Sequence, residues 1–257
     1  MFKECSSITS INFSNFNASK INTMIYMFYG CSSLVSIDLS NFDTSSVINM
    51  EYMFYQCSAL QTLTLSNKFA TSSVTNMEYM FYGCSALETL TLSNNFVTLK
   101  VEKMNHMFYE CSKLQSIDLS NFDTSSVVNM EYMFYGCGSL QTIDLSKFNT
   151  QLVINIEYMF YECSTLELID LSNFNTLNLE NMRYIFYGCS KLQSVDLSNF
   201  NTPLVKNMEY MFYGCSALQS IDLSKFDTSK VENMGYMFYA CSALQSLGLK
   251  NFNTPLL

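Results

Sequence analysis

The stretch Met27-Phe28-Tyr29-Gly30-Cys31-Ser32-Ser33-Leu34-Val35-Ser36-Ile37-Asp38-Leu39-Ser40-Asn41-Phe42-Asp43-Thr44 decides the fold, because the chain repeats it from end to end. The ten cysteines, from Cys5 to Cys241, follow one another at intervals of 26 or 27 residues. The two longer intervals each carry one extra residue in the same place, giving Asn67-Lys68-Phe69 and Asn94-Asn95-Phe96. An insertion confined to one position marks a turn, and a fixed period of this length marks a repeat architecture in which neighbouring units bury one another.

Two patterns alternate within the unit. Leu34, Ile37 and Leu39 form L-x-x-I-x-L, which suits a short strand with Ile and Leu inward and the residue between them outward. Val47, Met50, Met53, Phe54 and Cys57 then recur at intervals of three and four, which predicts one face of a short helix. Asp43-Thr44-Ser45 stands where a helix N-cap would. Glycine often precedes the cysteine, but Glu4, Gln56, Glu110, Glu162 and Ala240 replace it. A left-handed backbone is therefore not expected to be obligatory there. The predicted fold is an α/β solenoid of the leucine-rich-repeat kind: right-handed and curved, with a parallel sheet on one face and short helices on the other. It makes residues 1–257 a single repeat domain of about ten 26–27-residue coils, without polar terminal caps.

Composition narrows the function. Lys plus Arg number 13 against 22 Asp plus Glu, a formal charge of −9, and Arg183 is the one arginine. Such a chain lacks the basic footprint that nucleic acids and anionic membranes require. No apolar run reaches the 18 residues of a membrane-spanning helix, so no membrane insertion is expected. No charged start leads into an apolar core, so no signal peptide is read.

The unit resembles the BspA-like leucine-rich repeat, in which L-x-x-I-x-L is followed by a segment ending in A-F-x-x-C. Here that ending reads Met53-Phe54-Tyr55-Gln56-Cys57, Met133-Phe134-Tyr135-Gly136-Cys137 and Met211-Phe212-Tyr213-Gly214-Cys215. The longer wording is also similar to the mycoplasma-type lipoprotein-associated, DUF285-like surface repeats. The resemblance implies a cell-surface or secreted array, adhesion or host interaction, and no catalytic residues.

The outward strand position reads Asn12, Asp38, Thr64, Thr91, Asp118, Asp144, Asp170, Asp196, Asp222 and Gly248. Parallel strands lie about 4.8 Å apart, so Asp118 to Asp222 form a rail of five carboxylates. Like charges at that spacing repel. With Ser116, Ser120 and Ser224 beside them, they read either as a solvated polar face or as a binding face for a cationic or hydroxyl-rich partner, a protein or a glycan. A dedicated calcium loop is not present. The tyrosines form two further columns, which are contact surface or packing between coils. His106, the one histidine, stands in a tyrosine position with no evident partner. The cysteines are expected to be free, buried thiols, with no C-x-x-C zinc motif. No G-x-S-x-G, phosphate loop or other catalytic constellation occurs, so the chain is not read as an enzyme and no cofactor or metal is expected. The function expected is a non-catalytic binding or adhesion module; the alternative is a structural spacer or self-assembling array joined end to end.

Overall fold

The computed structural model describes residues 1–14 and 16–256. Six strands of three residues each are formed: β1 (Thr62–Thr64), β2 (Thr89–Thr91), β3 (Leu168–Asp170), β4 (Ser194–Asp196), β5 (Ser220–Asp222) and β6 (Ser246–Gly248). They pair in parallel as β1 with β2, β3 with β4 and β5 with β6. Each strand falls inside the L-x-x-I-x-L stretch, with its central residue turned toward the core at Leu63, Leu90, Ile169 and Ile221. The register is unit on unit: Ile169 opposes Val195 and Asp170 opposes Asp196.

The expected helices do not exist. Among the described residues no helix is formed, so the α/β solenoid with a helical face is corrected to a stack of short parallel strands and turns. On the side assigned to helices, a second parallel ladder runs from Thr23 through Asn49, Asn76, Lys103, Asn129, Asn155, Asn181 and Asn207 to Asn233. After it the backbone makes turn upon turn. Met27 N–H donates to Met24 C=O at 3.1 Å, Tyr29 to Tyr26 at 3.3 Å, and Cys31 to Phe28 at 3.1 Å. The N–H groups in between donate to the next unit, as Phe28 does to Met53 at 2.9 Å and Gly30 to Tyr55 at 2.7 Å. A helix would send each of these N–H groups to its own i−4 carbonyl. Here they bind unit to unit.

The turns demand a left-handed residue. Tyr52 has φ of 56° and Gln56 of 54°, and the same holds at every described unit, whether the position before the cysteine is Gly30, Gln56, Gly83 or Glu110. A positive φ at the third residue is what a type II turn requires. The left-handed backbone is thus adopted at all ten positions before a cysteine, contrary to the sequence expectation. For a non-glycine residue it costs of order 1 kcal/mol or more, and the bonds between units offset it.

Inside, like lies on like. Phe28, Phe54, Phe81, Phe108, Phe134, Phe160, Phe186 and Phe212 are stacked, with successive ring centroids 5.3–5.8 Å apart. One apolar cluster of Leu, Ile, Val, Met, Phe and Cys runs through the stack. The cysteines are free, as expected, and eight of them are buried. Each thiol from Cys31 to Cys241 donates to the carbonyl of a phenylalanine in the preceding unit, at 3.0–3.2 Å. The supposed cap residue Thr44 is also buried: it heads a column of eight threonines, each donating from Oγ1 to a carbonyl of the next unit at 2.6–3.0 Å. Asp43 accepts instead from Ser45 N–H, closing an Asx turn.

Candidate functional site

The rail stands where the sequence puts it. Asp118, Asp144, Asp170, Asp196 and Asp222 are exposed, as are Ser116 and Ser120, while Ser224 is half-buried. The structure adds a reason for the aspartates. In each, Oδ1 accepts the backbone N–H of the serine two residues on, at 2.8–2.9 Å, from Ser120, Ser146, Ser172, Ser198 and Ser224. The carboxylate therefore closes the turn that follows it, which at Asp170, Asp196 and Asp222 ends a strand, and leaves its second oxygen without a protein partner among the described residues. Asn12 makes the same bond to Ser14, so the turn needs the carbonyl oxygen and not the charge. These bonds hold several carboxyls below the ordinary range. At Asp144 and Asp222 the larger cause is the serine N–H, at Asp118 and Asp170 the serine hydroxyl.

A second ladder on the turn side was only half legible. The two tyrosine columns are stacked nearly parallel. Centroids are 4.5–5.1 Å apart from Tyr26 through Tyr52, Tyr79, His106 and Tyr132 to Tyr236. They are 4.2–4.9 Å apart from Tyr29 to Tyr239. The rings pack on one another across units, as one of the two sequence readings had it, but between turns and not between helices. Sequence reasoning missed the carboxylates that border them. Six of the seven asparagines of the turn-side ladder, all but Asn181, accept the N–H two residues on, as Asn49 does from Glu51 and Asn129 from Glu131, at 2.8 and 2.9 Å. This places Glu51, Glu78, Glu131, Glu157 and Glu209 in a column beside the first tyrosines. On the other border, Glu4, Gln56 and Glu110 line a shallow depression together with Tyr29. The signal lay in the repeated N-M-E-Y, which a helical reading scatters around an axis.

Burial, reinforced by the neighbouring glutamate, pushes the Glu51 and Glu131 carboxyls up. Glu157, 6% exposed, is pushed up by burial, against the pull of Arg183. Arg183 stands in the glutamate column, its Nε 2.7 Å from Glu157 Oε1. That contact is an ion pair and not an aligned hydrogen bond.

Burial pushes the thiols of Cys84, Cys137 and Cys189 up to about 12, which removes them as nucleophiles at ordinary pH. His106 is sandwiched between Tyr79 and Tyr132, 4.5 Å from each, and burial lowers it to about 4. Its Nδ1 lies 3.2 Å from the Asn105 amide. Among the described residues no group of three or more His, Cys, Asp or Glu side chains could hold a metal ion. Nor is any helix among them long and apolar enough to cross a membrane.

A repeat chain of this kind is found among known proteins. Residues 1–92, 88–168 and 162–255 match the family described as "Mycoplasma protein of unknown function, DUF285", and the chain belongs to that family. No curated protein matches it. Among solved structures, it is similar to a leucine-rich cell surface protein from Faecalibacterium prausnitzii, with 18% identity, 96% of this chain and 74% of that one covered, and a TM-score of 0.45. A leucine-rich repeat protein from Bacteroides ovatus gives 21% identity, coverage of 96% and 76%, and a TM-score of 0.36. One from Eubacterium ventriosum gives 18%, 91% and 81%, and 0.32.

Proposed function

We propose that the chain is a binding or adhesion module, a single repeat domain of about ten coils over residues 1–257. Its contact face is then the Ser/Thr-Asp-Ser strand face between residues 116 and 224. The observation that carries this reading is the set of five exposed carboxylates, each fixed by its own turn with one oxygen free. A ligand that touches several equivalent units gains by multiplicity, because every unit offers the same contact on one body. The charge of −9 favours a cationic or hydroxyl-rich protein or glycan. Location at the cell surface or outside the cell belongs to the same proposal, on the resemblance to bacterial surface repeats.

Asp→Asn is the clean perturbation, since asparagine keeps the turn and loses the charge. The triple variant D144N/D170N/D196N is compared with Thr64→Ala plus Thr91→Ala on a panel of immobilised glycans and basic proteins. The expected result is a loss of about tenfold or more for the aspartate set, from up to about 1 kcal/mol per exposed charge contact. The loss is larger at low salt, where screening is weak. Equal losses from both sets, or binding unaffected by either, would remove the rail as the contact face. A spacer role would then fit better if mass rises with concentration.

A further inference from the structure

All 17 tyrosines of the chain lie in the two stacked columns, and the strip they form has acids along both borders. The chain's own cations already settle on it. Lys3 Nζ stands 4.5 Å from the ring centroid of Tyr26 and 5.1 Å from that of Tyr29. Lys103 Nζ stands 3.6 Å from Glu78 Oε2. Arg183 reaches Glu157 and holds its guanidinium carbon 5.8 Å from the Tyr158 ring centroid. Of the three ion pairs among the described residues, two are on this strip.

We infer that the tyrosine strip is a docking surface for a lysine- and arginine-rich polypeptide segment, which places its cations against the glutamate column and the tyrosine rings, as Arg183 does with Glu157 and Tyr158. Charge complementarity selects this occupant. Glu51, Glu131 and Glu209 are half-buried, repeat along the stack and have no ion-pair partner among the described residues. The upward shift at Glu51 and Glu131 marks carboxylates that pay for partial desolvation, a cost an incoming cation relieves. A neutral sugar fits less well. Sugars stack on open ring faces, and here each face inside the column is covered by the ring of the next unit. The strip is also ordered in advance, because rings stacked on both sides have little rotamer freedom left to lose on binding. The inference concerns the side away from the rail and does not depend on the rail's binding anything.

With no tryptophan in the chain, intrinsic emission comes from the strip itself. A deca-arginine peptide labelled for polarisation is titrated into the intact protein, and tyrosine emission is followed in the same samples. Three proteins are compared: the unchanged chain, E51Q/E131Q/E209Q, and D144N/D170N/D196N, the two variants having lost equal charge. Followed by tyrosine emission, to which peptide held on the rail does not contribute, binding is expected to weaken about tenfold in the strip variant and by less than about twofold in the rail variant. In the unchanged chain, tyrosine emission is expected to follow the polarisation curve, and maltohexaose to leave it flat. Equal weakening of the emission-followed binding by both variants would mean attraction to net charge alone and would overturn the inference. So would peptide binding without a change in tyrosine emission, or an emission response to maltohexaose matching that to the peptide. The last two readings need only the unchanged protein, so a variant that fails to fold does not block the test.

Discussion

At the position before the cysteine, long side chains and glycine nearly alternate: Glu4, Gly30, Gln56, Gly83, Glu110, Gly136, Glu162, Gly188. The structure shows why. A Cβ built on Gly83 would stand 3.2 Å from Gln56 Cγ, and one on Gly188 only 3.0 Å from Glu162 Cγ. The long side chain of one unit lies across the bare Cα of the next. At Gly214, which follows another glycine, a Cβ would meet nothing nearer than 3.7 Å. Both glycines have φ near 70°, so alanine at either is strained by about 1–2 kcal/mol. Only Gly188→Ala adds crowding. Urea unfolding should therefore show Gly188→Ala less stable than Gly214→Ala, and equal midpoints would speak against the overlay. The alternation was visible in the sequence, but its meaning was not, because it depends on which atoms meet between units.

The element scale is where sequence and structure part. The strand stretch was legible, since L-x-x-I-x-L has one inward-facing solution, and β1, β2, β3 and β5 bury their central residue as it requires, while Leu247 of the last strand is exposed. The turn segment was misread for a physical reason. Consecutive turns bonded i to i−3 bring Met24, Met27, Phe28 and Cys31 inward at intervals of three, one and three. A helix gives nearly the same inward set. The periods of a turn chain and of a helix cannot be told apart over eight residues. What separates them is the destination of the N–H groups, which lies in the next unit and leaves no mark within one. The residues taken for a helix cap, Asp43 and Thr44, instead split two tasks, an Asx turn outside and a bond between units inside. The rail was fully legible as a row of exposed aspartates, whereas its role in closing turns was not. The glutamate border went unseen, because a helix turns neighbouring residues about 100° apart and so sets Glu51 away from Tyr52, whereas the turn closed on Asn49 seats them side by side.

Across the whole molecule, opposite titrations meet in one pH window. Glu51, Glu131 and Glu157 are raised, so the folded chain takes up their protons first and gains stability as pH falls from neutral. His106 has the opposite sign. Unfolded, it titrates near its ordinary value of about 6.5; folded, at about 4, so stability is lost as pH falls between the two. The lowered aspartates, Asp38, Asp118, Asp144, Asp170 and Asp222 among them, withdraw their contribution only at lower pH, as they protonate. Replacing the histidine by the tyrosine of its column isolates one contribution. His106→Tyr should gain in thermal midpoint over the unchanged protein as pH falls from 7 to 5. A difference between the two proteins that stays constant over that interval would contradict the buried, neutral imidazole.

The central claim is that the segment between strands is a ladder of left-handed turns bonded to the next unit, which sets the tyrosines and glutamates in register. NMR secondary shifts and amide contacts over residues 153–163 test it most directly. The account predicts no helical run from Ile156 to Cys163, left-handed backbone signatures at Tyr158 and Glu162, and contacts from Phe160 N–H to Ile185 of the next unit, its acceptor at 3.0 Å. A continuous run of helical shifts across Ile156 to Glu162, with sequential amide contacts inside the unit, would contradict it.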